Sequence, residues 1–169
     1  MANEPDVRLV PGAPDDAPLL ANMMELYLHD LSEAFPIELG PDGRFGYENL
    51  SLYWSEPERR FPFFVRLGDR LAGFVLIARE PDHPPKHDVA EFFVLRRYRR
   101  FGIGRRAAVL AWDRFPGSWT VRVSLGNAGA IPFWSRVIED YTGGAASQFD
   151  RPGEPNDWRV FAFETGRAD

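Results

Sequence analysis

Apolar residues recur along this chain in two periods, and the change between them outlines its elements. Val7-Arg8-Leu9-Val10 alternates as a short strand does, and Pro11-Gly12 ends it. Asp15 or Asp16 suits the cap of a following helix, because aspartate accepts hydrogen bonds from the first free amides. That helix carries Leu19, Leu20, Met23, Met24, Leu26, Tyr27 and Leu31 at spacings of three and four, runs to about Ala34 and is stopped by Pro36. Residues 37–46 read as a loop, and Tyr47 to Trp54 as a short second helix closed by Pro57.

From Phe61 the period falls to two. Phe61 to Leu67 and Leu71 to Arg79 are strand-like on either side of a Gly68-Asp69-Arg70 turn, and His87 to Leu95 is a third strand after a proline-rich loop. Gly104 to Phe115 reads as a helix, Trp119 to Leu125 as a strand, Ala128 to Val137 as a short helix and Trp158 to Phe163 as a terminal strand. The order β-αα-β-β-β-α-β-α-β predicts one mixed α/β sheet with helices packed on it.

Composition narrows the class. The 169 residues are 44% hydrophobic and 27% charged, which suits a single domain over residues 1–169, since domains hold roughly 100–200 residues. Mean hydropathy is −0.33, and no run approaches the roughly 18 apolar residues of a membrane helix, so no membrane partner is expected. The acidic start Met1-Ala2-Asn3-Glu4-Pro5-Asp6 lacks the apolar core of a secretory signal, and the expected location is cytoplasmic. The absence of cysteine excludes disulfides, thiolate metal sites and cysteine nucleophiles. His29, His83 and His87 have no ligand spacing, so no metal is expected.

The net charge of −5 is unevenly spread. Residues 1–58 hold 12 acidic side chains against Arg8 and Arg44, whereas residues 59–169 hold 18 basic and 13 acidic ones. Arg96, Arg97, Arg99, Arg100, Arg105 and Arg106 fall within residues 92–112 with no carboxylate among them, a local field that favours an anion.

These arginines surround the most informative run, Glu91-Phe-Phe-Val-Leu-Arg-Arg-Tyr-Arg-Arg-Phe-Gly-Ile-Gly-Arg-Arg-Ala-Ala. A buried strand feeds a basic turn, and the turn opens a helix whose first amides lack partners. Gly102 and Gly104 let the backbone curl around an anion with no Cβ in the way, which reads as a pyrophosphate cradle. A Walker-type loop fails because Gly-Lys-Ser/Thr is absent. Gly102-x-Gly104-x-x-Ala107 satisfies a dinucleotide fingerprint but follows several strands and has no acid about 20 residues on. A glycine-softened turn with solvated arginines is the remaining alternative.

Val94 to Gly104 resembles the Arg/Gln-x-x-Gly-x-Gly/Ala signature of the GNAT N-acetyltransferase superfamily, filled here by Arg99, Gly102 and Gly104 with Tyr98 and Ile103 beside them. Asn127-Ala-Gly-Ala-Ile-Pro-Phe-Trp, 23 residues past Gly104, resembles the family's Asn-x-x-Ala-x-x-Phe-Tyr segment through Asn127, Ala130 and Phe133. The resemblance implies a mixed, mostly antiparallel sheet that splays at the acetyl-CoA site, with helices on both faces. It implies acetyl-CoA as the donor and no metal. The pyrophosphate would lie on backbone amides around Arg100, Phe101, Gly102, Ile103, Gly104 and Arg105. An amide near Val94 or Leu95 would polarise the thioester carbonyl, and Asn127, Phe133 and Trp134 would line the cofactor. An Asx turn or cap opening the helix at Ala128 is the simpler role for Asn127.

Acetyl transfer needs a deprotonated amine. Glu91 is the candidate base: many family members carry an acid at this position, and alternation puts Glu91, Phe93 and Leu95 on one strand face with Ala90, Phe92 and Val94 on the other. Burial among phenylalanines would raise its pKa; a carboxylate paired with a neighbouring arginine is the alternative. Trp134 departs from the family pattern, which often has a tyrosine there to protonate the leaving thiolate, and indole gives up no proton at working pH. Water, Ser135 or Tyr141 could take that role, or none is needed.

The resemblance also implies an acceptor entering over the N-terminal helices. Glu25, Asp30, Glu33, Glu38, Asp42 and Glu48 would draw a small-molecule or peptide amine, and Tyr27, Phe35, Phe45, Tyr47, Tyr53 and Trp54 would wall it. Ordinary charged helix surfaces and core aromatics account for the same residues more simply. An acidic first third argues against nucleic acid. A homodimer is left open, and the sequence does not say whether the terminal strand pairs with a second subunit. The resulting expectation is direct transfer from acetyl-CoA to an amine, with a non-catalytic acyl-CoA-binding or sensing protein as the alternative.

Overall fold

A computed structural model describes residues 6–81 and 85–166; residues 1–5 of the acidic start and His83 lie outside them. The elements are β1 (Val7–Pro11), α1 (Ala17–Leu31), α2 (Leu52–Ser55), β2 (Arg60–Leu67), β3 (Arg70–Glu80), β4 (Lys86–Val94), α3 (Ile103–Arg114), β5 (Gly117–Ser124), α4 (Ala130–Thr142), β6 (Ser147–Arg151) and β7 (Trp158–Thr165). The strands form one sheet in the order β1-β2-β3-β4-β5-β7-β6. Every pairing is antiparallel except β4 with β5.

Period-two alternation sends successive side chains to opposite faces, and two apolar cores result. Val65, Val75, Ile77 and Val121 face α3 and α4, where Ala107, Ala111, Trp112, Val137 and Ile138 cover them. Phe64, Phe74, Leu76 and Phe93 face the other way, under Leu20, Met23, Met24 and Leu28 of α1 and Tyr53 of α2. Helices therefore lie on both faces, as the family resemblance implied.

The differences from the sequence reading are local. α1 stops at Leu31, whose carbonyl accepts the Ala34 and Phe35 amides in a turn. The second helix divides into a 3-10 turn over Glu48–Ser51 and the single-turn α2. α4 starts at Ala130 rather than Ala128 and continues to Thr142, where left-handed Gly143 ends it. β6 was not expected: Ser147–Arg151 is exposed throughout and shows no apolar alternation, and its pairing with β7 defines it.

β4 carries the irregularity that shapes the site. Leu76 lies opposite Glu91 and Ile77 opposite Val89, so Ala90 is an extra residue, a β-bulge. The bulge reverses the facing of everything before it and puts Asp88 on the same side as Glu91 and Phe93. Pairing with β5 runs from Lys86↔Ser118 to Val89↔Val121 and stops there, whereas pairing with β3 continues to Val94. The two central strands thus part from Ala90 onward.

Close approach of β3 and β4 beyond the bulge requires Gly73. A Cβ at this position would stand 2.0 Å from the Phe93 carbonyl oxygen, a backbone atom that cannot swing aside. Gly73→Ala should therefore cost at least about 1–3 kcal/mol, read as a fall of roughly 2–12 °C in thermal midpoint. An unchanged midpoint would refute this packing.

Candidate active site

The splayed end of β4 presents a free backbone donor. The Leu95 amide donates to Ala72 O at 2.8 Å, and Val94 lies opposite Gly73. In an antiparallel ladder this makes Val94 a non-bonded pair member, with its own N–H and C=O turned away from β3, toward the gap. The Val94 carbonyl accepts Arg99 Nε at 2.7 Å. Of the two amides the sequence offered, Leu95's is spent inside the sheet and Val94's faces the opening.

The chain then turns through a 3-10 segment, Arg96–Tyr98, into α3. Arg100 has φ of 68° and Gly102 of 75°; Arg100 is the sole non-glycine residue with positive φ among the described residues. Such a left-handed conformation costs a non-glycine residue roughly 1–2 kcal/mol. A left-handed residue within a turn favours the curl in which successive amides point to one side. The first bond of the helix is Arg106 N–H to Gly102 O, 2.9 Å, and among the described residues no acceptor meets the amides of Arg100 to Arg105. Ile103 is buried beneath the turn, and Phe101 is 69% exposed at its tip. Gly104 packs closely, since a Cβ there would come within 3.3 Å of the Phe133 ring, which would have to shift slightly.

The six arginines divide into two sets. Asp30, near the end of α1, binds Arg96 through Nε at 3.1 Å and Nη2 at 2.7 Å, and also takes Arg99 Nη2. These two cations hold the Asp30 carboxyl below the usual carboxylate range against the opposing effect of its partial burial. Arg99 also lies over the Phe93 ring at 5.7 Å. Its side chain therefore braces the turn from behind rather than pointing into the curl. Arg105 lies 3.6 Å from Asp140. Arg97, Arg100 and Arg106 have no carboxylate partner among the described residues.

On the α1 face of β4, Glu91 accepts two phenol hydrogen bonds. Tyr27 Oη donates to Oε2 at 2.6 Å and Tyr47 Oη to Oε1 at 2.7 Å. Burial lifts the Glu91 carboxyl above its ordinary 4.5, Asp88 adds to the rise, and the tyrosines and Arg122 oppose it. Tyr27 and Tyr47 are themselves raised, by burial first and by the Glu91 charge second. Asp88, 2% exposed, receives Thr120 Oγ1 at 2.9 Å and Arg122 Nη2 at 2.6 Å from β5. Glu91 thus has a tyrosine shell, not the arginine partner that was its alternative reading.

Tyr47 reaches Glu91 because its loop is tied down. Glu25 of α1 accepts the Phe45 amide at 2.7 Å and the Gly46 amide at 3.0 Å. Glu25 and Asp30 are therefore engaged within the fold, while Glu33, Glu38, Asp42 and Glu48 are exposed.

Asn127 lies between β5 and α4 and bonds only through its backbone, donating to Ser124 O and accepting from Ala130. α4 has no side-chain cap, so the expected Asx turn is not formed. Phe133 and Trp134 pack on Phe92, at ring distances of 6.0 and 4.9 Å, along the opposite face of β4. Tyr141 donates to Asp113 at 2.8 Å, and its pKa is pushed up to about 12 by burial and that carboxylate. Asp113 sits ten residues along α3 from Ile103, about 15 Å away, so Tyr141 is remote from the turn.

A family model described as "Acetyltransferase (GNAT) family" matches residues 20–138. The chain belongs to the GNAT acetyltransferase family. The GNAT fold is shared with an acetyltransferase of the GNAT family from Streptococcus agalactiae, at TM-score 0.71 and 6% identity over 95% of this chain and 96% of that one. Ribosomal-protein-S18-alanine N-acetyltransferase from Escherichia coli aligns at 0.64 and 16% over 96% of each chain. Spermidine N-acetyltransferase from Vibrio cholerae, solved with CoA and spermine, aligns at 0.62 and 14% over 94% and 95%. Among curated protein sequences, no relative matches.

Within this GNAT chain the sequence reading missed Tyr27 and Tyr47 as partners of Glu91, and Asp88 and Arg122 as its charged neighbours. No local signal marks them, since 64 and 44 residues separate the tyrosines from Glu91. The raised carboxyl gives a test on stability. Unfolded, Glu91 loses its proton near 4.5; folded, it keeps it to higher pH. The wild type therefore loses stability as pH climbs from about 4.5 through the folded value. Glu91→Gln has no such loss, so its thermal midpoint relative to wild type should rise across that window and then level. A difference that stays flat with pH would contradict the shift.

Proposed function

We propose that this GNAT protein is an acetyl-CoA-dependent N-acetyltransferase that passes the acetyl group directly to a primary amine, with Glu91 as the ultimate proton acceptor. The observation that carries the reading is the pairing of the open amides at Arg100 to Arg105 with the free Val94 N–H at the mouth of the same gap. The turn's amides, with Arg97, Arg100 and Arg106 nearby, fit a pyrophosphate. The Val94 N–H fits the carbonyl oxygen of a thioester, where negative charge grows during acyl transfer. Acetyl-CoA supplies the acyl group on a thiol leaving group. With no cysteine in the chain, an acyl-cysteine relay is excluded, so the direct route is the simpler one.

The acceptor is a small-molecule or peptide amine in this reading. A cationic acceptor suits Glu33, Glu38, Asp42 and Glu48, the exposed acids left once Glu25 and Asp30 are committed. Trp134 favours a second reading, a non-catalytic acyl-CoA-binding protein, because no proton donor stands in its place. A thiolate is nonetheless a good leaving group near neutral pH, and water can protonate it.

Free thiol release from acetyl-CoA, measured with a panel of polyamines, aminoglycosides and peptides, separates the two. Amine-dependent release supports transfer; tight acetyl-CoA binding with no release by any amine supports the binding protein. Gly102→Asp adds bulk and negative charge within the curl and should abolish acetyl-CoA binding by calorimetry; unaltered affinity would reject the cradle. Glu91→Gln should lower turnover by about 10²-fold or more and flatten the rise of rate with pH, and an unaltered profile would retire Glu91.

A further inference from the structure

We infer that Tyr47 is a catalytic residue of this site, the hydroxyl through which the acceptor's ammonium proton reaches Glu91. The inference rests on the acyl-transfer reading above and adds to it a group the sequence assigned only to a wall.

Three observations converge. Val94 lies three residues beyond Glu91, about 10 Å along the strand at 3.3 Å per residue. An amine attacking a carbonyl held at the Val94 N–H therefore stands one polar group short of the carboxylate. Each Glu91 oxygen already holds a phenol, Tyr27 on Oε2 and Tyr47 on Oε1. Tyr27 is walled in by Phe74 and Phe93, with ring centroids at 5.6 and 5.7 Å. Both phenols are half-buried, but Tyr27 lies on a helix between exposed Leu26 and core Leu28, whereas Tyr47 lies on a loop between exposed Gly46 and Glu48, and on that placement Tyr47 is the phenol assigned to an incoming amine.

The step balances as follows. The acceptor's ammonium gives one proton to Tyr47 Oη as Tyr47 gives its own to Glu91 Oε1, and the freed nitrogen lone pair attacks the thioester carbon. The C–N bond forms and the C–S bond breaks, its electron pair leaving on sulfur. The second nitrogen proton passes to the thiolate through water, and Glu91 returns its proton to solvent. Tyr47 never becomes a phenolate, in keeping with the burial and the adjacent carboxylate that hold its pKa up. The groups facing Glu91 are Tyr27 from α1, Tyr47 from the tethered loop, Tyr53 from α2, Asp88 from β4 and Arg122 from β5. Of the two that touch a carboxylate oxygen, Tyr47 alone has exposed residues on both sides of it in the chain. Glu25, which fixes the loop by two amide bonds, is its positioning residue.

The test compares wild type, Tyr47→Phe and Tyr27→Phe in single-turnover acetyl transfer to a reactive amine, in mixtures of H2O and D2O. Wild type should give a curved proton inventory, with two protons in flight. Tyr47→Phe should bind acetyl-CoA with unchanged affinity, transfer about 10–100-fold more slowly and give a linear inventory. Tyr27→Phe should keep the curvature. Glu25→Ala should reproduce the Tyr47→Phe profile, and Glu25→Gln should recover part of the rate. A Tyr47→Phe variant with wild-type rate and a curved inventory overturns the relay and leaves acyl transfer standing. Loss of acetyl-CoA binding in that variant makes Tyr47 structural and also overturns it. Absence of turnover in the wild type with every amine overturns the functional reading, and the relay falls with it.

Discussion

β4 is hydrogen-bonded to β3 along its length but to β5 only as far as Val89, and the site follows from that asymmetry. A strand held on both sides would have no free amide; a strand held on neither would not fix one. Held on one side, β4 turns the Val94 N–H into a gap that stays open because β5 is anchored elsewhere, by β7 along its full length. The bulge at Ala90 lies where the partnership ends. It also sets the facing that brings Asp88 and Glu91 under α1 and α2, while Phe92 stays with Phe133 and Trp134 on the far side.

Charge in this protein is used first to assemble and only then to bind. Asp30 draws Arg96 and Arg99 inward and so fastens α1 to the turn that opens α3. Glu25 spends its carboxylate on two loop amides, and Asp88 neutralises Arg122 at the base of the gap. These contacts link α1 and the loop that follows it to the turn that opens α3. The positive field left around the turn is correspondingly smaller than the sequence suggests, and the backbone amides of Arg100 to Arg105 stay open beside it among the described residues.

The sequence made much of this legible. Period-two runs located β2, β3, β4 and β7 to within a few residues, and period 3.6 located α1 and α3, because amphipathic alternation is a local property. Gly102 and Gly104 announced the turn for the same reason: positive φ favours glycine at the first, and the Phe133 ring leaves little room for a side chain at the second. β6 escaped, since an exposed edge strand is defined by its neighbour's backbone and not by its own side chains. The bulge at Ala90 escaped too, because nothing in Asp88-Val-Ala-Glu91 marks the residue that falls out of register.

By itself, then, the sequence determined most of the elements, the family resemblance and the place of the glycine turn, all of which depend on residues close in the chain. Tertiary structure alone decided which groups are committed and which are free. It turned Leu95's amide inward and Val94's outward, spent Arg99 on Asp30, and surrounded Glu91 with Tyr27 and Tyr47 from other elements. Those outcomes depend on contacts between residues 21 to 69 positions apart. Such pairs leave no period or spacing to read, because the sheet brings them together only after every strand has found its register.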